Sequence, residues 1–339
     1  MCEEISSRSE EMISTLPAAG RESCVDTLYM GGGTPSVLPP DCMERIVTHL
    51  NRHVSGTDSH AYEEFTVEVN PEDIVEGGQE YVRFLSRLGV NRISMGVQSF
   101  DDSLLKWMNR RHDAERAVRA FGIIGESGIG NISIDLIYGI GGMGCESWES
   151  TLRRALQLRP AHISAYQLSV EEGSALASMA DSGRYAEAGE EDCRRQYDLL
   201  CGLLAEAGYR HYEVSNFALP GFEAIHNSAY WRRIPYAGLG PGAHSAVAGS
   251  AGKVNVRKWN TQLESSYMPE NEVLTEEDVR VEEIMLALRT SEGIDPEKIA
   301  GEQAGRLLSE GALVWTEAGK MRIPEDRFFV SDEIIRELI

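Results

Sequence analysis

No stretch of the 339-residue chain holds the roughly 18 consecutive apolar residues that a membrane-crossing helix needs. A helical membrane protein is thereby excluded. Clustered cysteines are missing as well. Cys2, Cys24, Cys42, Cys145, Cys193 and Cys201 never fall into CxxC or CxxxCxxC spacing, and the nearest two lie eight residues apart. Thiols so scattered read as reduced, partly buried side chains, not as a zinc or iron–sulfur clip. Bases are scarce: 32 Lys and Arg stand against 54 Asp and Glu, a net charge of −22. A surface that acidic repels phosphate backbones, so nucleic acid is a poor partner. The opening MCEEISSRSEEMIST has no apolar core of a secretory signal, and a cytoplasmic protein is expected. Internal repeats and low-complexity segments are also absent. What remains is ordinary soluble composition, 42% hydrophobic and 25% charged, with length for one large α/β domain plus a small companion.

Short β-branched runs alternate with amphipathic stretches through the first two-thirds. Asp26–Met30, Phe65–Val69, Asn91–Val97, Asn131–Tyr138 and His162–Leu168 read as strands, and Arg210–Asn216 as a further extended run. Helical patterning covers residues 3–16, Asp41–Arg52, Gly78–Leu88, Ala114–Gly125, Ser147–Leu158 and Glu190–Ala207. In Gly78–Leu88, Tyr81, Phe84, Leu85 and Leu88 fall on one face. Such strand–helix repetition predicts parallel strands joined by right-handed crossovers over residues 1–217. The rhythm breaks in 218–272, where Pro235–Gly252 reads as loop, punctuated by Gly249 and Gly252 among others. Helical patterning returns in 273–339, with WTEAGKMRIP as a small hairpin and Asp332–Leu338 as a last helix. Helices plus a two-stranded wing suggest a winged-helix-like module. From Glu272 to Ile339, however, 17 acids face 8 bases, and a DNA reader needs a basic face. A packing or lid module is the better reading.

Gly31-Gly32-Gly33-Thr34-Pro35 follows the first strand directly. Three glycines there let a ligand approach bare backbone, although a tight turn alone would use one or two. The GxGxxG fingerprint of a dinucleotide site is not met. Glu68, Gln98 and Asp135 recur at the ends of later strands. A lone acid in a strand is most often solvated, but three polar groups at matching positions suit the ligand-binding end of a barrel or doubly wound sheet. Arg110, beyond the third strand, is either a solvated charge or a clamp for a carboxylate.

YMGGGTPS, EVNPEDI, RISMGVQSFDDSLLKWMNRRH and ISIDLIYGI, in that order and spacing, resemble the radical S-adenosylmethionine enzymes of the oxygen-independent coproporphyrinogen III oxidase family. The likeness runs from about residue 3 to the C-terminus. It implies an α/β fold, a partial TIM-like (β/α)6 barrel with a small C-terminal helical, winged-helix-like module. It also implies that Gly31, Gly32, Gly33, Thr34, Glu68, Gln98, Arg110 and Asp135 contact S-adenosyl-L-methionine. GIGGMG at 139–144 departs from the family, which usually has a proline before the glycine.

A second motif separates the branches of the family. His226-Asn227-Ser228-Ala229-Tyr230-Trp231 reads HNxxYW, and GLGPGAHS follows at 238–245. Both resemble the branch whose members are heme chaperones. That implies heme contacts at His226, Asn227, Tyr230 and Trp231, with His226 as iron ligand and His244 as its alternative. Imidazole is a good iron ligand, and Tyr and Trp can cover a porphyrin face. The same residues could instead be core groups bridging the barrel and the C-terminal module. The family's [4Fe–4S] cluster is anchored by CxxxCxxC after its first strand. The chain shows neither, so an N-terminally truncated copy lacking the first strand and the cluster ligands is expected. Without the cluster, cleavage of S-adenosylmethionine is not. Three readings follow: a heme-binding chaperone delivering heme to acceptor proteins, some at the membrane; an oxygen-independent coproporphyrinogen III oxidase; or a non-catalytic heme-binding or interaction protein. Pairing of two chains is left open.

Overall fold

The computed structural model describes residues 1–14, 25–248, 254–260, 269–299 and 301–339. Residues 15 and 16 of the expected first helix, Cys24, Gly249 and Gly252 lie outside them. The chain opens on α1 (Cys2–Ser14), followed by β1 (Thr27–Met30), α2 (Pro40–Ser55), β2 (Glu64–Val69), α3 (Pro71–Leu88) and β3 (Arg92–Gln98). Next come α4 (Asp102–Trp107), α5 (Ala114–Glu126), β4 (Asn131–Tyr138), α6 (Cys145–Leu158) and β5 (His162–Gln167). Strands β1 to β5 lie side by side in chain order, all parallel, as the alternation predicts. Helix α3 begins seven residues before the patterned stretch. Pro71 supplies a preset first turn, Glu72 and Asp73 favour the positive helix end, and Gly78 interrupts it at φ 58°. Gly89, in the left-handed region at φ 101°, stops it.

Side chains alternate across the strands, so each strand sorts its residues between two faces. Phe65, Val67, Ile93, Met95, Ile134, Leu136 and Ile163 point outward and are buried beneath the helices. Trp148 of α6 is the largest fully buried side chain, and its indole nitrogen donates to the Gln196 carbonyl at 2.9 Å. The inward face is polar instead.

The run Arg210–Asn216 is not one strand. After α7 (Ala175–Asp181) and α8 (Glu190–Glu206), it folds as a tight hairpin, β6 (Arg210–Glu213) and β7 (Asn216–Ala218). Strand β7 pairs antiparallel with β5, which leaves the seven-stranded sheet in the order β1-β2-β3-β4-β5-β7-β6. A two-residue connection can only reverse the chain; a parallel neighbour would need a crossover. Helix α9 (Ile225–Trp231) carries the HNxxYW motif.

The loop expected at Pro235–Gly252 contains β8 (His244–Ala248), which joins β9 (Val254–Asn260) and β10 (Pro269–Val273) in an antiparallel three-stranded sheet. Short HSAVA among glycines gives too little alternation to register as a strand. Helix α1 ties this region to the barrel: Glu4 accepts from Gly240 N at 3.0 Å and from Asn260 Nδ2 at 2.8 Å. The C-terminal stretch holds α10 (Glu276–Ala287), α11 (Glu302–Ser309), the hairpin β11 (Val314–Trp315) and β12 (Met321–Arg322), and α12 (Ser331–Arg336). Ile284, Leu288, Ile294, Leu307 and Phe328 join the same hydrophobic core as the barrel helices. No helix among the described residues is long and apolar enough to cross a membrane.

Candidate functional site

A closed barrel of this type fills its interior with apolar layers. Here Tyr29 of β1, Glu64, Thr66 and Glu68 of β2, Arg92 and Ser94 of β3, Ser133 and Asp135 of β4, and Ser164 and Tyr166 of β5 line a lumen with a cavity of about 130 Å³. Polar groups withdrawn from water need partners, or a ligand that supplies them. Most are paired. Ser94 Oγ donates to both Asp135 carboxylate oxygens at 3.2 Å, and Ser133 Oγ meets His162 Nδ1 at 2.8 Å. Thr66 Oγ1 is buried with no partner. Burial pushes the Asp135 pKa up to about 6, against the pull of hydrogen bonds from Ser164 and Ser94.

The glycine segment closes one side of this lumen. Glu68 holds it, accepting from Tyr29 Oη at 2.6 Å and from Gly32 N at 3.0 Å. The three glycines have separate reasons. Gly32 and Gly33 sit at φ 75° and 64°, where a side chain is strained. Gly31 lacks room, because a Cβ would fall 2.4 Å from the Tyr29 ring and 2.7 Å from a Glu68 oxygen.

Gly31, Gly32, Glu68 and Asp135 therefore converge, and Thr34 borders them at the start of the Pro35–Val37 turn. The other two expected ligand contacts, Gln98 and Arg110, are not among the residues that line the enclosed cavity. Gln98 is buried at φ 65° at a register shift that ends β3, with its amide over Gly96 and outside the lining of the enclosed cavity. Arg110 is exposed after α4 and forms no side-chain hydrogen bond or ion pair among the described residues. Its neighbour Arg111 instead binds Glu72 and Asp73, each at 2.9 Å. Tyr29, Glu64, Thr66 and Ser94 were missed by motif reading. Their signal was the period-two polar spacing in TLYM, EFTVEV and RIS.

Helix α9 forms the lumen's floor, contributing Ala224 at its cap and Asn227. Glu64 pins it there, its two oxygens accepting from Ile225 N at 2.8 Å and His226 N at 3.0 Å. A buried carboxylate at a helix N-terminus satisfies free N–H groups and complements the dipole. His226 stacks on Tyr29 with ring centroids 5.1 Å apart. Its Nδ1 meets Thr27 Oγ1 at 2.8 Å and its Nε2 meets Tyr230 Oη at 2.7 Å. Burial lowers its pKa, so the imidazole is neutral. Both nitrogens are thus engaged, and iron ligation through Nε2 requires Tyr230 to let go. His244 differs: exposed at the start of β8, it lies against Trp259 and its ring nitrogens are unbonded among the described residues.

Beyond α9 lies a second, much larger cavity of about 810 Å³, between α8, the β6–β7 hairpin, α9 and α10, with Trp231 in its wall. Of the cysteines described, Cys2, Cys42, Cys145, Cys193 and Cys201 are all free. No group of three or more His, Cys, Asp or Glu among the described residues is placed to hold a metal ion. These residues do not fit the [4Fe–4S] cluster that the resemblance implies.

Residues 4–155 match the radical SAM superfamily. The fold resembles coproporphyrinogen III oxidase (HemN) from Escherichia coli, a radical SAM enzyme, with a TM-score of 0.77 at 19% identity, covering 99% of this chain and 81% of that one. The sequence is 32% identical over 327 residues to the heme chaperone HemW of Lactococcus lactis, spanning 92% of this chain and 84% of that protein. It is 33% identical over 312 residues to the heme chaperone HemW of Bacillus subtilis, spanning 90% and 80%. The chain belongs to the HemW family of heme chaperones, within the radical SAM superfamily.

Proposed function

We propose that this chain is a cytoplasmic heme-binding chaperone that delivers heme to acceptor proteins. One observation carries the reading. The HNxxYW helix is wedged between a polar lumen on one side, which Asn227 lines, and a cavity of about 810 Å³ on the other, which Trp231 lines. Only the larger falls in the range of about 300–1,000 Å³ usual for bound cofactors. Trp231 is the porphyrin contact from that cavity; His226 and Tyr230 stand outside its lining, so His226 becomes the iron ligand only when its Nε2 leaves Tyr230 and its ring turns toward the cavity. The neutral state of His226 suits that task, because an imidazolium cannot ligate.

The enclosed lumen of about 130 Å³ takes only part of S-adenosylmethionine, so the cofactor is assigned to the lumen's mouth, beside the glycine segment. There the free Thr66 hydroxyl and the Asp135 carboxylate answer ribose hydroxyls, and the glycine backbone answers the methionine part. Gln98 and Arg110 complete that set only if their segments move inward. In the family, the bound cofactor supplies a radical when an iron–sulfur cluster reduces it. The residues described here offer no cluster ligands, so no radical step is assigned.

The test is transfer. The chain is loaded with hemin, freed of excess, and mixed with an apo b-type cytochrome whose spectrum differs from the loaded chain's. Growth of the cytochrome spectrum at the expense of the chain's is expected. Hemin that fails to load, or loads and never leaves, contradicts delivery.

A further inference from the structure

Resting on the chaperone reading, we propose that the large cavity beyond α9 is the seat of the porphyrin ring. It would hold a planar dicarboxylate by its ring and its acid groups, without requiring the iron. Two features of the cavity point to such a ligand. The first is its aromatic wall: Trp231 of α9, Tyr209 just before the hairpin and Tyr212 within it border it. Flat rings of this size bury large apolar area against flat partners. The second is charge. Five basic residues line it against five acidic ones, whereas the whole chain has 32 bases to 54 acids. In a protein so acidic, parity marks a place where an anion is least repelled.

The bases are not all committed. Lys298 pairs with Glu283 at 2.8 Å, and Arg210 meets Glu223 only at 3.9 Å. Lys320 forms no ion pair among the described residues, although its charge acts on the neighbouring Glu292. A carboxylate arriving at Lys320, or at Arg210, would gain a charge-assisted hydrogen bond without breaking a pair closer than 3.9 Å. The lumen cannot serve, since its cavity of about 130 Å³ is already walled by Glu64, Glu68 and Asp135.

The probe is metal-free protoporphyrin IX, followed by its own fluorescence and by quenching of tryptophan, with hemin titrated in parallel. Three proteins are compared: the parent, Lys320→Glu and Ala205→Trp. Ala205 is an exposed cavity-lining residue of α8, so a tryptophan there fills the space without disturbing the core. The parent is expected to bind both ligands. Lys320→Glu and Ala205→Trp should each weaken both about tenfold or more. If the parent binds hemin and neither cavity variant alters its affinity, the seat lies elsewhere and the chaperone reading stands. Hemin binding without metal-free porphyrin binding also overturns the seat, because iron ligation would then carry the affinity. A parent that binds neither ligand overturns the chaperone reading itself.

Discussion

Glu64 is the group on which the position of α9 depends most. It is 2% exposed, and its oxygens accept from the two N-terminal amides of that helix at 2.8 and 3.0 Å. Hydrogen bonds to a charged group contribute about 1.5–3 kcal/mol each, and buried donors left without a partner are costly in their own right. Glu64→Ala removes both acceptors and strands both amides. Allowing for non-additivity between neighbours, the expected loss is about 3–4 kcal/mol. Glu64→Gln keeps one acceptor oxygen but turns a donor toward the second amide, so about half that loss is expected. At the few degrees per kcal/mol typical of domains this large, the alanine variant should melt roughly 5–10 °C below the parent. Hydrogen exchange localises the effect, with the amides of Ile225 and His226 losing protection far more than those of β3. If Glu64→Ala melts within a degree or two of the parent, or if its exchange rises uniformly, the carboxylate is not what fixes the helix.

Two further perturbations test other parts of the structure. Burial raises the pKa of Glu213 to about 7, above its unfolded value near 4.3, so the native state keeps the proton longer. Stability should therefore fall as pH rises from about 4 through 7, by roughly 3 kcal/mol in full. Glu213→Gln should melt higher than the parent at pH 8 and equal it near pH 4.5; an equal gap at both pH values refutes the assignment. Gly31→Ala forces a methyl group against Tyr29 and Glu68, an overpacking cost of about 1–3 kcal/mol. It should also weaken S-adenosylmethionine binding by calorimetry, and unaltered stability would show that the Tyr29–Glu68 pair yields freely.

The parallel half of the sheet was legible because its strands announce themselves by β-branched runs spaced by amphipathic helices. Glu68 was legible for the same reason, next to the end of β2, whereas Asp135 lies in the middle of β4 and not at the strand end expected of it. Less visible was anything decided by two-residue turns. Val214-Ser215 makes Arg210–Asn216 a hairpin rather than a strand, and no periodicity distinguishes the two. Gln98 and Arg110 were legible as motif positions only: Gln98 takes a positive φ and Arg110 is exposed, features that no periodicity announces. His226 was visible as a candidate ligand, yet its engagement by Thr27 and Tyr230, 199 residues upstream and 4 downstream, depends on tertiary packing.

The central claim is that this chain binds heme in a defined site at α9. Its most direct test is a titration of hemin into the purified chain, following the Soret band, with no iron–sulfur reconstitution. The account predicts a saturable spectral change with one heme per chain, and a shifted Soret maximum when His226 is replaced by alanine. A linear, unsaturable rise identical to that of hemin in buffer would contradict it.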